Sequence, residues 1–135
     1  MIKLVTDTIN KQDIDNLIGW LETYPRLTKG ELTPEFESKW SDWLGIDHSV
    51  FCNSGSSANL LMLWALVEAN RISRNAKIVV PSASWSTDLA PVLQLGMTPI
   101  LCDANLQDLS VDLNHLQQIF EETNPDVLLL VSVLG

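Results

Sequence analysis

The chain has 135 residues, 46% of them hydrophobic and 19% charged, with a formal net charge of −9. That is ample apolar material for one core, and the acidic balance, with no basic patch, excludes nucleic acid as the main partner. Two cysteines, Cys52 and Cys102, lack metal-ligand spacing and point to a reducing, cytoplasmic setting, while no apolar run reaches a membrane span and the N-terminus has no signal-peptide pattern.

In chain order, Asn10 is placed to cap a first helix, with Asp13 favourably in its first turn. Ile14, Leu17, Ile18 and Leu21 repeat at helical spacing and form a stripe that needs a partner surface; Pro25 ends the segment. Residues 26–32 read as a loop. Thr33-Pro34-Glu35 reads as a second helix start, Thr as N-cap and Pro at the first helical position, and Gly45 as its C-terminal cap. Phe36, Trp40, Trp43 and Leu44 share one face of this helix, so both tryptophans are expected in the core.

Ser49–Cys52 reads as a first strand. It leads through the small polar turn Asn53-Ser54-Gly55-Ser56-Ser57 into an apolar segment too long for a buried strand, hence a buried helix. Lys77–Val80 is expected as a second strand ended by Pro81, followed by Ser84-Trp85 and a helix closed by Gly96. Thr98–Cys102 is the third strand, Asp112 caps a helix stopped by Asn124-Pro125, and Val127–Val133 is the fourth strand. Strands alternating with helices at this spacing define an α/β fold with a mostly parallel sheet and flanking helices, whose ligands bind beyond the carboxyl ends of the strands. Ending just after a strand of this kind, the sequence looks truncated.

Two features at those strand ends carry chemistry. The first turn of a helix has backbone N–H groups without intrahelical partners, and the helix dipole adds positive potential there. Gly55, Ser56 and Ser57 therefore form either a phosphate site or an ordinary strand-to-helix loop with a serine cap. The turn is neither a P-loop, since no Gly-Lys-Ser/Thr follows, nor the dinucleotide fingerprint, since two of its glycines are absent. Trp85 stands in a serine-rich turn past a strand end, where its indole either stacks on a flat ligand or covers the end of the sheet or a subunit contact. Asp103 and Asp112 read as loop-fixing residues, His48 and His115 as surface residues, and both cysteines as strand residues. No metal site is expected.

Three stretches together resemble the DegT/DnrJ/StrS family of sugar aminotransferases, which use pyridoxal phosphate (PLP). They are Leu27-Thr28-Lys29-Gly30 with Phe36-Glu37 and Leu44-Gly45; Asn53 through Leu61; and Val80-Pro81 through Ser84-Trp85, continued by Gly96-Met97-Thr98-Pro99-Ile100 and Asp103. The Ser-Gly-Ser-Ser-Ala-Asn-Leu-Leu form looks closest to the nucleotide-sugar 3-dehydrases, which use pyridoxamine phosphate (PMP) to remove a 3-hydroxyl from a 4-keto-6-deoxy sugar. The resemblance implies the aspartate aminotransferase-like fold, with residues 1–135 as the N-terminal part of its large domain: opening helices over 1–45 and βα units over 46–135. It implies that Gly55, Ser56 and Ser57 hold the cofactor phosphate, that Trp85 stacks on the pyridine ring, and that the substrate is a nucleotide sugar in polysaccharide or lipopolysaccharide synthesis. The parent is expected to be a homodimer.

By the same resemblance, the aspartate that pairs with the pyridine nitrogen lies beyond Gly135. So does the Schiff-base lysine or the histidine that replaces it, so no catalytic residue is assigned within the chain. The piece alone is expected not to catalyse the reaction, and to associate or dissolve poorly because it would leave a sheet edge and apolar helix faces open. The alternative is a non-catalytic α/β domain that binds a phosphate-bearing ligand or a partner. A Rossmann-type oxidoreductase is disfavoured by the glycine spacing.

Overall fold

The computed structural model describes residues 5–131. The chain divides into two compact units, Met1–Phe51 and Cys52–Gly135.

The first unit holds two helices, α1 (Lys11–Leu21) and α2 (Leu32–Leu44). Asn10 caps α1: its side chain accepts the N–H groups of Gln12 and Asp13, and Asp13 returns a bond to the Asn10 N–H at 2.9 Å, a reciprocal capping box. The second helix starts earlier than the sequence suggests. Glu31 is its N-cap and Thr33 already lies inside, its N–H bonded to the Gly30 carbonyl at 3.2 Å. Pro34 remains in the first turn, where its missing N–H costs nothing. Gly45 closes the helix at φ +72° with the paired bonds of a Schellman motif, Gly45 N–H to the Asp42 carbonyl and Ile46 N–H to that of Ser41. Gly30 has a different reason to be glycine. A Cβ there would stand 2.8 Å from the Arg26 carbonyl oxygen.

The expectation that both tryptophans of α2 are core residues is overturned. Trp40 is 44% and Trp43 74% exposed. Their rings lie 5.0 Å apart at a 35° tilt, and Phe36, stacked on Trp40, bridges it to the edge of Phe51. Helical spacing placed these rings on one face correctly, but says nothing about what covers that face.

In the second unit, α3 (Gly55–Glu68), β1 (Lys77–Pro81), α4 (Ser86–Gln94), β2 (Thr98–Cys102), α5 (Leu113–Thr123) and β3 (Val127–Leu128) follow in order. Among the described residues they form a three-stranded parallel sheet, β2-β1-β3, with β1 central. Lys77 pairs with Thr98 and Ile78 with Val127, which brings the carboxyl ends of the strands to one edge. Side chains alternate along the central strand. Ile78 and Val80 point to a cluster with Leu63 of α3, Val92 of α4 and Met97. Val79 points the other way, with Cys102 of β2, to Ile119 of α5. Helices therefore cover both faces, and β1 reads as a continuous apolar run for that reason. Full burial of each of these aliphatic side chains contributes about 1.5–3 kcal/mol over leaving it exposed.

The expected strand at Ser49–Cys52 is absent. Val50 and Phe51 are exposed and have no ladder partner among the described residues, and the Phe51 N–H bonds instead to the Glu37 carboxylate at 2.8 Å. Apolar, β-favouring residues do not make a strand without a neighbour to pair with. Of the strand expected over Val127–Val133, only Val127–Leu128 pairs as strand; residues 129–131 are not strand, and residues 132 and 133 lie outside the described residues.

Candidate functional site

The turn before α3 is built by one serine. Ser54, in extended conformation, is the N-cap, and its Oγ accepts the Ser57 N–H at 3.2 Å. Its hydroxyl also donates to Ser57 Oγ at 3.2 Å, and the Ala58 N–H returns to the Ser54 carbonyl at 3.0 Å. The N–H groups of Gly55 and Ser56 have no acceptor among the described residues. Both residues are exposed, and a Cβ added at Gly55 would meet no heavy atom within 4 Å, so the mouth of the turn is open. With the N-terminus of a 14-residue helix behind them, these two N–H groups and the hydroxyls of Ser56 and Ser57 form a donor set suited to a phosphate. Ser57 differs from the sequence reading in one respect: its N–H belongs to the cap, so its hydroxyl is the group it offers.

Trp85 is the N-cap residue of α4, just past the carboxyl end of β1, and is 67% exposed. The indole is therefore not covering the end of the sheet in this chain. Its backbone is fixed from below. The Trp85 N–H donates to Asp88 Oδ2 at 3.2 Å, and the Ser84 hydroxyl donates to the same oxygen.

Asp88 is the residue that the sequence did not single out. It is 3% exposed, and its second oxygen accepts from Asn59 Nδ2 of α3 at 2.8 Å. Asn59 Nδ2 also reaches the Thr87 carbonyl at 3.2 Å. In a regular helix that carbonyl would accept the N–H of residue 91, which is Pro91 and has none. Asn59 thus supplies the donor that Pro91 removes. The proline four residues after Thr87 was the available sequence signal, but nothing in the sequence pointed to Asn59 as its complement.

The remaining candidates take structural roles. Cys102 is buried, and burial, followed by the charges of Asp103 and Asp112, pushes its thiol above the ordinary value. His115, expected at the surface, is half-buried: its Nδ1 accepts the Asp103 N–H at 3.1 Å, which leaves the proton of the neutral ring on Nε2. Asp112 caps α5 through the N–H groups of Asn114 and His115. Among the described residues, no three His, Cys, Asp or Glu side chains group as metal ligands, and no helix is long and apolar enough to cross a membrane.

The parallel α/β unit therefore sets an open, serine-capped turn at the start of α3 beside an exposed indole at the start of α4, just past the carboxyl end of β1. Residues 7–135 match the model of the DegT/DnrJ/EryC1/StrS aminotransferase family, and the chain belongs to that family. It is 34% identical over 110 residues to the GDP-4-keto-6-deoxy-D-mannose 3-dehydratase of Yersinia pseudotuberculosis, covering 80% of this chain and 28% of that protein. To the lipopolysaccharide biosynthesis protein RfbH of Salmonella typhimurium it is 28% identical over 118 residues, 84% of this chain and 26% of the other. The E. coli GDP-4-keto-6-deoxy-D-mannose-3-dehydratase with bound hydrated PLP superposes with a TM-score of 0.76 at 29% identity, over 85% of this chain and 30% of that one. The chain therefore spans about 30% of the length of these relatives, and its α/β architecture is part of their fold.

Proposed function

We propose that residues 1–135 are the opening part of the large domain of an enzyme that uses PLP or PMP to modify a nucleotide-linked 4-keto-6-deoxy sugar. The 3-dehydrase reaction, loss of the 3-hydroxyl, is the reading favoured by similarity to the Yersinia and E. coli 3-dehydratases. Lipopolysaccharide or a related polysaccharide is the proposed destination of the sugar, as for the Salmonella relative. The observation that carries this reading is the pairing of an open anion turn at Gly55–Ser57 with the exposed indole of Trp85, tied to one another through Asn59 and Asp88.

The residues present fit such a cofactor. The Gly55 and Ser56 N–H groups and the Ser56 and Ser57 hydroxyls would hold its phosphate, whose negative charge the dipole of α3 would favour. The exposed Trp85 indole would offer an apolar face to the pyridine ring and keep water from that side. When bound, the cofactor supplies an electron-accepting ring that stabilises charge developing beside the reacting substrate carbon. A homodimer is part of the proposal, supported by the exposed apolar side chains of α1 and α2, among them Leu17 and Trp43.

The test uses protein from the complete reading frame, incubated with PMP and a GDP-linked 4-keto-6-deoxy sugar. Mass spectrometry is expected to show loss of the 3-oxygen. Gain of an amino group instead would replace the dehydrase reading by an aminotransferase one, and an unchanged sugar with no bound cofactor would overturn both.

A further inference from the structure

The carboxylate of Asp88 is buried where three donors converge on it: the Ser84 hydroxyl and Trp85 N–H on Oδ2, and Asn59 Nδ2 on Oδ1. Between them the two carboxylate oxygens take up all three of these hydrogen bonds. A buried carboxylate is retained at a desolvation cost, which these bonds offset. Its placement is informative. Asn59 stands one turn along α3 from Gly55, whose N–H opens the anion turn, and Asp88 stands in the first turn of α4, whose N-cap is Trp85. A single carboxylate therefore ties the element bearing the phosphate donors to the residue bearing the indole. The second link from Asn59, to the Thr87 carbonyl left open by Pro91, clamps the same turn of α4 and removes a point at which it could rotate.

We infer that Asp88 is a positioning residue that sets the separation of the Trp85 indole from the anion turn, so that a ligand with a phosphate at one end and an aromatic ring at the other is held at both ends at once. The inference rests on the cofactor reading above for the identity of that ligand, but not for the geometry. It predicts a specific pattern. Inorganic phosphate needs only the α3 turn and is indifferent to Asp88, whereas PLP needs both elements and is not. Asp88 touches neither group of the ligand, so its effect passes through Trp85.

The experiment measures binding of PLP and of inorganic phosphate to wild type, Asp88→Asn, Trp85→Ala and the double variant, all made from the complete reading frame. In parallel, hydrogen exchange at the Trp85 amide is followed without ligand. Asp88→Asn is expected to weaken PLP about tenfold, the order of one lost aromatic contact, to leave phosphate binding unchanged, and to speed exchange at Trp85. The double variant is expected to bind PLP no more weakly than Trp85→Ala alone, since a residue acting through Trp85 has nothing left to act on. An additive loss, an equal loss for phosphate, or unchanged exchange at Trp85 would overturn the inference. Should Asp88→Asn not fold, Asn59→Ala, which keeps the bond to the Trp85 N–H and severs the link to α3, carries the same test with PLP and phosphate. If wild type binds no PLP, the cofactor reading falls by itself and the Trp85 exchange decides the role of Asp88.

Discussion

Asn59 of α3 and Asp88 of α4, 29 residues apart, are joined side chain to side chain at 2.8 Å beneath the exposed turns that precede both helices. The bond relates the two elements of the proposed cofactor site. Its geometry separates residues that hold the fold from residues exposed at the two turns.

Ser54 and Ser56 are neighbours of similar chemistry with different jobs. Ser54 Oγ caps α3 through the Ser57 N–H, whereas no hydrogen bond of the Ser56 hydroxyl is found among the described residues. Ser54→Ala is expected to cost about 1 kcal/mol of stability, read by urea denaturation. Ser56→Ala is expected to leave stability within about 0.5 kcal/mol and to weaken phosphate binding.

Two glycines should respond to alanine with opposite signs. Gly19 lies inside α1 with nothing within 4 Å of an added Cβ, so Gly19→Ala is expected to stabilise by up to about 1 kcal/mol. At Gly30 the Cβ would stand 2.8 Å from the Arg26 carbonyl oxygen, and Gly30→Ala is expected to destabilise by about 1–3 kcal/mol. Thermal unfolding of the two variants against wild type measures both.

Burial raises the Cys102 thiol above its ordinary value of 9.0, and the charges of Asp103 and Asp112 act in the same direction. In the unfolded chain the thiol loses its proton first as pH rises, so the unfolded state is favoured between the two values. The contribution of Cys102 to stability is expected to be fully present below pH 9.0 and to decline above it. Cys102→Ala should flatten the fall in stability across that range, as measured by denaturation at a series of pH values. At neutral pH an alkylating reagent is expected to modify Cys52, which is partly exposed, well before Cys102.

The elements that the sequence revealed are those whose pattern is local in the chain. Lys77–Pro81 and Thr98–Cys102 are short apolar runs bounded by proline, glycine or aspartate, and the central one, covered on both faces, writes that pattern most directly. The serine-capped turn before α3 was legible because a cap and its helix are contiguous in sequence. What depended on a distant partner was not legible. Val50 and Phe51 look like strand residues, yet a strand is defined by its neighbour, and the Phe51 N–H goes to Glu37. The tryptophans of α2 showed their shared face but not its exposure. Asp88 resembles an ordinary acid in a helix first turn until Asn59, Ser84 and the Trp85 N–H are seen to converge on it.

Whether the Gly55–Ser57 turn and Trp85 form the two ends of a vitamin B6 cofactor site is decided by one dissociation constant. PLP is titrated into wild type and Trp85→Ala, each made from the complete reading frame, with the absorbance of the bound cofactor as the signal. Saturable binding to wild type, weakened about tenfold or more in the variant, is the predicted result. Equal affinity in the two proteins, or no saturable binding to wild type, would contradict it.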